Sequence, residues 1–311
     1  MSISAVIPVY NSERSLPELV PRLHAVLSAI TPDYEVILVN DNSRDGSWGV
    51  IEDLAVDPHV KGINLSRNYG QHSALLCGTR AAVFDVVVTL DDDLQHPPEE
   101  IPRLLAALDG GLDVVYGVPS RMQHGFLRNF ASRVTKFTLR SSMGVATAPD
   151  VSAFRAFRRW LAGGFADFRG AYVSLDVLLT WSSTRFGSVT VEHQERQYGE
   201  SNYTFPKLVV HALNMTTGFS VVPLRLTSLI GFTFTIFGGV VLVYVLGRFM
   251  LSGFQSIPGF PFLASIIAIF SGAQLFALGI IGEYLGRVHT RSLERPTYVI
   301  RNTTSKRVIE L

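Results

Sequence analysis

The residues with the clearest capacity for chemistry are three consecutive carboxylates, Asp91, Asp92 and Asp93, followed by Gln95 and then by Pro97, Pro98, Glu99 and Glu100. Asp91 and Asp93 are two apart, so on an extended chain they share one face while Asp92 points away. Adjacent negative charges repel unless a cation intervenes. Two carboxylates with an amide oxygen from Gln95 form a hard-oxygen set suited to Mg²⁺ or Mn²⁺ holding a diphosphate. Alone, Asp-x-Asp reads equally well as a solvated acidic loop. Its position favours the metal: Val86, Val87, Val88 and Leu90 before it spell a strand buried on both faces, and ligands of open α/β sheets sit beyond the carboxyl ends of strands. Pro98, Glu99 and Glu100 are ordinary helix-start chemistry.

The elements that must position this turn follow a regular alternation. Short apolar runs at residues 5–9, 36–39, 63–65, 86–90 and 114–116 interleave with helical stretches at 16–30, 48–54, 72–83 and 99–108, which predicts an α/β fold with a mainly parallel sheet. The first strand leads into Tyr10-Asn11-Ser12-Glu13, with neither Gly-x-Gly-x-x-Gly nor Gly-Lys-Ser/Thr, so dinucleotide and P-loop cradles are disfavoured. The second leads into VNDNSRDGSW, where Asp41 stands at a strand end able to accept hydrogen bonds from a base or ribose, although Asn-Asp-Asn-Ser is also plain turn chemistry. The third leads into SRNYGQHSAL, placing Arg67, Asn68 and Gly70 before a helix N-terminus that favours anions. Arg67 reads equally as a surface ion-pair partner, and His72 as a polar helix starter. Further on come an amphipathic helix at 124–143 with Arg128, Arg133, Lys136 and Arg140, a basic cluster at Arg155, Arg158 and Arg159, a strand at 185–192, and the Gly-containing run ERQYGESNY.

Composition sets the surroundings. The chain of 311 residues carries a net charge of +1, which argues against nucleic acid as the main partner. Its mean hydropathy of +0.27 points to lipid. Cys77 is the single cysteine, so no internal disulfide forms, and the first residues lack the pattern of a signal peptide. From Phe205 the character changes. Residues 207–222 set Lys207, His211, Asn214 and Gly218 opposite an apolar face, as in a helix lying in a membrane interface. No charge falls between Arg225 and Arg248 or between Arg248 and Glu283. Each gap holds the ~20 apolar residues needed to cross a bilayer. Arg287, Arg291, Arg295 and Arg301 after the second gap and Arg225 before the first, against Arg248 between them, orient both flanks to the cytosol. The expected organisation is a cytosolic catalytic domain over 1–204, an interfacial helix over 205–224, two transmembrane helices within 225–286 and a cytosolic tail over 287–311. That is a multi-pass protein of the inner (cytoplasmic) membrane with both termini in the cytosol.

Together VIPVYNSE, DNSRDGSW, SRNYGQHSAL, DDDLQHPPEEIPRL, the Arg155 region, ERQYGESNY and IGEYLGRV resemble the polyprenyl-phosphate glycosyltransferases of glycosyltransferase family 2, to which dolichol-phosphate mannose synthase belongs. The likeness is greatest to the bacterial branch that loads 4-formamido-arabinose or glucose onto undecaprenyl phosphate, and it covers nearly the whole chain. It implies a GT-A (Rossmann-like) domain, nucleotide contacts from Pro8, Tyr10, Glu13, Asp41 and Arg67, with Asp91 beside them, and Mg²⁺ or Mn²⁺ on Asp91, Asp93 and Gln95. It also implies acceptor or donor phosphate contacts from Arg121, Arg128, Arg155, Arg196 and Ser201, a catalytic or positioning acid at Asp150, and a homo-oligomer, a tetramer in relatives. Asp93, Asp150 and Arg155 would be the catalytic residues. The chain departs from the common family pattern at Ser152 and Ala153. The implied partners are a nucleotide-sugar, with UDP ahead of GDP and dTDP, a polyprenyl phosphate and the bilayer, with no nucleic acid.

The chemistry follows from charge. A phosphate monoester with a second pKa near ~6 is already largely dianionic at neutral pH, so a strong general base is hardly needed. Metal and arginines must instead bring two anions together and let a diphosphate leave. The expected reaction is one in-line displacement at the anomeric carbon, with inversion. The rivals are a processive polysaccharide synthase and a non-catalytic membrane-anchored nucleotide-sugar scaffold. The first carries Gln-x-x-Arg-Trp, whereas here Arg159-Trp160 follows Ala156 at the matching place.

Overall fold

A computed structural model describes residues 1–119, 151–170, 173–194, 222–251 and 259–304. The amphipathic helix expected at 124–143 and nearly all of the interfacial helix expected at 205–224 lie outside these residues. The chain divides into two compact units, Met1–Val209 with Glu294–Leu311, and Val210–Leu293.

The first unit is built on one sheet. In chain order its elements are β1 (Ile3–Val9), α1 (Leu16–Ile30), β2 (Tyr34–Asn40), α2 (Ser47–Leu54), β3 (Val60–Leu65), α3 (Gln71–Ala81), β4 (Val86–Thr89), a short 3₁₀ turn and α4 (Ile101–Asp109), β5 (Val114–Pro119), β6 (Arg155–Arg158), a 3₁₀ helix (Arg159–Phe165), α5 (Leu175–Ser182) and β7 (Phe186–Val191). After the second unit the chain returns as β8 (Ile300–Thr303). The strand order is β7-β5-β6-β4-β1-β2-β3-β8, with β6 and β8 antiparallel to their neighbours and the rest parallel. The mixed α/β class and the mainly parallel sheet are as the alternation predicted.

Side-chain alternation divides the sheet between two apolar layers. Ile3, Ala5, Ile7, Val36, Leu38, Val86 and Val88 face α1, α2 and α4, while Val6, Ile37, Val39, Val87 and Tyr116 face α3 and α5. Helix α1 presents Leu16, Leu19, Val20, Leu23 and Leu27 at helical spacing, an apolar stripe wide enough to bury against a sheet. Helix α3 comes closer still: a Cβ on Gly78 would stand 2.3 Å from Val6 Cγ1, so only glycine allows that approach.

The chain runs β1, β2, β3 outward in one direction and then returns to place β4 on the other side of β1. That reversal opens a crevice between the carboxyl ends of β1 and β4, the usual ligand site of such sheets. At the opposite, amino ends, the buried Glu35 carboxylate closes the floor by accepting bonds from Ser4 Oγ, Lys61 Nζ and the Val83 N–H.

In the second unit, α6 (Val222–Leu251) and α7 (Phe260–Ser292) pack on each other, with Phe234 edge-on to Phe270 at 5.8 Å. Both are long and apolar enough to cross a membrane, and their apolar side chains are largely exposed rather than buried in a core. Thr233, Thr235 and Thr290 donate their hydroxyls to carbonyls one turn back, so these groups need no water.

Replacing Glu35 by alanine strands the Ser4 hydroxyl inside the sheet, takes the acceptor from the Val83 N–H and the ion-pair partner from Lys61, and is expected to cost about 2–3 kcal/mol. Glu35→Gln, which keeps an acceptor, is expected to lose less. Denaturant titration of the detergent-solubilised chain separates the two.

Candidate active site

Each strand that ends at the crevice contributes a turn, and side chains sew the turns together. From β1, the Asn11 N–H donates to Ser43 Oγ and the Ser12 N–H to Ser47 Oγ, while Asn11 Oδ1 accepts from the Arg44 N–H. Asn11 and Asn42 both sit in the left-handed region, at φ 57° and 55°, a conformation asparagine tolerates better than most side chains. Glu13 completes the join: its N–H bonds Asp45 and its carboxylate accepts the Gly46 N–H at 3.0 Å. Pro8 is buried at the strand end, and Tyr10 is exposed beside it.

Asp41, buried at the end of β2, accepts the Tyr69 N–H on one oxygen and the Gly70 N–H on the other, each at 2.7 Å. Burial raises its pKa against the pull of those two bonds. Asp41 therefore shapes the loop between β3 and α3. That loop carries Arg67, whose guanidinium lies 4.6 Å over the Tyr69 ring. Gly70 at φ 91° lets the chain turn directly into α3.

The acidic turn beyond β4 sends its three carboxylates to different partners. Asp91 accepts from the Gln71 amide at the start of α3. Asp92 turns towards β1, accepting the Tyr10 N–H at 3.0 Å and the Ser12 hydroxyl. Burial pushes the Asp92 carboxyl up to about 6, the neighbouring Asp93 charge adding to the effect and the Ser12 and Tyr10 bonds opposing it. Asp93 accepts the Gln95 N–H at 3.1 Å, closing a tight turn around Leu94. Leu94 sits at φ 63°, an uncommon conformation for leucine, held here by complete burial of its side chain. Gln95 in turn receives the Gln194 N–H at 3.0 Å, so the chain leaving β7 starts beside the acidic turn. His96 stacks on Phe154 and meets His193 edge-on. Burial lowers its pKa to about 4, so it is neutral in ordinary buffers.

Among the described residues no group of three or more His, Cys, Asp or Glu side chains is gathered around a metal position. What the turn offers instead is oxygen: two partly exposed carboxylates, Asp91 and Asp93, and the Gln95 amide. That donor chemistry fits Mg²⁺ or Mn²⁺, ions that take one or two carboxylates and complete their shell with phosphate oxygens and water.

Arg155 has a different setting. It is fully buried in β6, in register with Thr89 and Tyr116, and forms an ion pair with Asp176 of α5. The Tyr116 hydroxyl donates to the same carboxylate at 3.1 Å, and burial, with the Asp176 charge adding, holds that phenol well above its usual pKa. Asp150, Arg121, Arg128, Arg196 and Ser201 lie outside the described residues. Sequence reasoning missed Asp176 and Tyr116, and it missed Gln71 and the structural duty of Asp92. Asp176 had one legible signal, a lone acid inside the apolar run LDVLLTW.

Residues 4–162 match the family described as glycosyl transferase family 2. Over 307 residues the chain is 37% identical to an undecaprenyl-phosphate 4-deoxy-4-formamido-L-arabinose transferase of Pectobacterium carotovorum, covering 98% of this chain and 94% of that one. A Shewanella sediminis protein of the same name is 37% identical over 303 residues, covering 96% and 92%. Among solved structures, glucosyl-3-phosphoglycerate synthase of Mycobacterium tuberculosis in complex with Mn²⁺, UDP and phosphoglyceric acid aligns with a TM-score of 0.52 at 18% identity, covering 70% of this chain and 76% of that one. That likeness establishes the GT-A fold.

Removing Asp176 alone leaves a buried, uncompensated guanidinium, so Asp176→Ala is expected to cost about 3–5 kcal/mol. Replacing both partners together, Arg155→Met with Asp176→Leu, is expected to recover most of that loss in the same denaturation assay.

Proposed function

The chain belongs to glycosyl transferase family 2 and is a glycosyltransferase, and on that premise we propose that it transfers a sugar from a nucleotide-sugar to a polyprenyl phosphate, with inversion and with a divalent cation. UDP is the proposed nucleotide, Mg²⁺ or Mn²⁺ the ion, and undecaprenyl phosphate the acceptor, the lipid named in relatives that match the chain over nearly its whole length. The observation that carries the reading is the join at the sheet reversal, where the acidic turn is bonded through Asp92 to the β1 turn. A nucleotide bound over the ends of β1 to β3 then has its diphosphate directed towards Asp91 and Asp93.

Each residue takes a part set by its surroundings. Pro8, Tyr10 and Glu13 line the nucleotide side, Asp41 shapes the loop that presents Arg67, and Asp91, Asp93 and Gln95 hold the cation. Bound there, Mg²⁺ or Mn²⁺ supplies charge neutralisation for the departing diphosphate. The acceptor phosphate is already dianionic near neutral pH and attacks the anomeric carbon directly, so Asp150 has more to do in orienting it than in taking a proton. Arg121, Arg128, Arg196 and Ser201 are the proposed phosphate contacts. The ion pair with Asp176 supports a positioning role for Arg155, because its guanidinium is committed inside the fold.

The returning strand β8 supports the membrane arrangement. Residues on both sides of the two apolar helices belong to one sheet, so the chain between them crosses a bilayer an even number of times. Arginines at 225, 287, 291, 295 and 301 favour the cytosol for that sheet and for both termini.

The test is transfer of radiolabelled sugar from UDP-, GDP- and dTDP-sugars, the UDP-linked formamido-arabinose included, to undecaprenyl phosphate in detergent, with and without Mg²⁺ or Mn²⁺. One labelled lipid, formed from a UDP-sugar and lost with chelator, is expected. Asp93→Ala should lower its formation by roughly a thousandfold. Normal metal-dependent turnover by that variant sinks the assignment of the cation site, and nucleotide binding without any labelled lipid sinks the choice of acceptor.

A further inference from the structure

The sheet does not end at β3. After α7 the chain turns at Glu294, in the left-handed region at φ 48°, and runs back along the β3 edge. The Ser66 N–H donates to the Val299 carbonyl at 2.8 Å, Leu65 faces Ile300, Asn64 faces Asn302 and Ile63 faces Thr303. At the far end Thr304 exchanges two bonds with Gly62, whose missing side chain makes room: a Cβ there would stand 2.8 Å from Thr304 Cγ2. An edge strand that would otherwise expose its N–H and C=O groups is thereby paired within the chain.

Tyr298 fastens this strap. Its ring is buried in the layer beneath α3, and its hydroxyl lies between the Cys77 thiol and the Arg80 guanidinium. Arg80 is itself held by the carbonyls of Phe165 and Phe168. From Val299 a continuous set of bonds runs into the crevice: Val299 holds Ser66, Ser66 Oγ meets the Tyr69 hydroxyl at 3.0 Å, and the Tyr69 and Gly70 N–H groups fill the two oxygens of Asp41. The loop so held carries Arg67 and leads into Gln71, the partner of Asp91.

We infer that residues 294–304 are a positioning element of the nucleotide site: Tyr298 latches the strap beneath α3, Val299 sets the 66–70 loop, and nucleotide binding closes the latch in return. This rests on the nucleotide lying over the ends of β1 to β3, as proposed above. The reciprocity is obligatory, because two binding equilibria that influence each other do so by the same factor in both directions.

Cys77 makes the latch measurable. It is the only cysteine in the chain, it is 2% exposed, and burial pushes its thiol up to about 12. Labelling by a maleimide therefore reports opening beside Tyr298. The experiment uses the full chain in detergent, with UDP and Mn²⁺ as the probe. It measures UDP affinity by equilibrium dialysis, the labelling rate of Cys77, and the KM for undecaprenyl phosphate. In the native chain, UDP with Mn²⁺ is expected to slow labelling roughly fivefold or more. Tyr298→Ala should label quickly and bind UDP roughly tenfold more weakly, with KM for the lipid unchanged. Tyr298→Phe, which returns the ring to its layer, should rescue most of both effects. The proposal is overturned if Tyr298→Ala melts at a lower temperature yet binds UDP as the native chain does, and if UDP leaves the labelling rate untouched. A native chain that binds none of UDP, GDP and dTDP overturns the nucleotide reading itself, and the strap's role with it.

Discussion

The crevice depends on one half-buried carboxylate. Asp92 receives the Tyr10 N–H and the Ser12 hydroxyl across 80 residues of sequence, and so ties the turn after β4 to the turn after β1 at the place where the sheet reverses direction. Parallel neighbours that diverge at a reversal leave a gap with no backbone ladder across it, and a side chain must supply the bridge. A carboxylate does so well because its bonds to N–H and O–H donors are charge-assisted. The cost is visible in its pKa, which burial lifts to about 6 despite those donors. The middle acid of the three thus serves the fold, and it holds its two neighbours at the mouth of the crevice.

The same device recurs wherever the sheet must fix something irregular. Asp41 fills both oxygens with backbone donors from the loop after β3, Glu35 gathers donors from two strands and a loop at the opposite end, and Asp176 collects Arg155 and Tyr116 between sheet and helix. Each buried acid is satisfied by more than one donor, which is the condition on which buried charge is tolerable. Conformational freedom is thereby removed from the loops that surround the ligand and not only from the strands, so the cost of ordering them at binding falls.

The second unit is built to another rule. Helices α6 and α7 expose apolar side chains along their length and bond their hydroxyls internally, as a hydrocarbon environment requires. Placing Ile300–Thr303 in the sheet ties both ends of the apolar helix pair to it by covalent continuity. It makes residues far beyond the family's matched segment part of the scaffold that shapes the crevice.

Much was legible from the sequence alone. Short continuous apolar runs and helical stripes determined the α/β alternation, because burial on both faces of a sheet or along one face of a helix imposes those patterns on any chain. The long uncharged gaps determined the two apolar helices, since crossing hydrocarbon demands length without charge. The acidic turn at the end of a buried strand marked the crevice. What only the tertiary structure decided was the allocation of partners. Alternation sets Asp92 apart from Asp91 and Asp93 but names no partner for any of them, and the three bond to β1, to α3 and to their own turn. Nothing in the sequence pairs Arg155 with Asp176, twenty-one residues on. Tyr298 lies in what reads as a solvated tail until β8 pairs with β3. Each of these depends on a contact between residues distant in the chain. Local periodicity records whether a side chain is buried or exposed and carries no information about which remote group it meets.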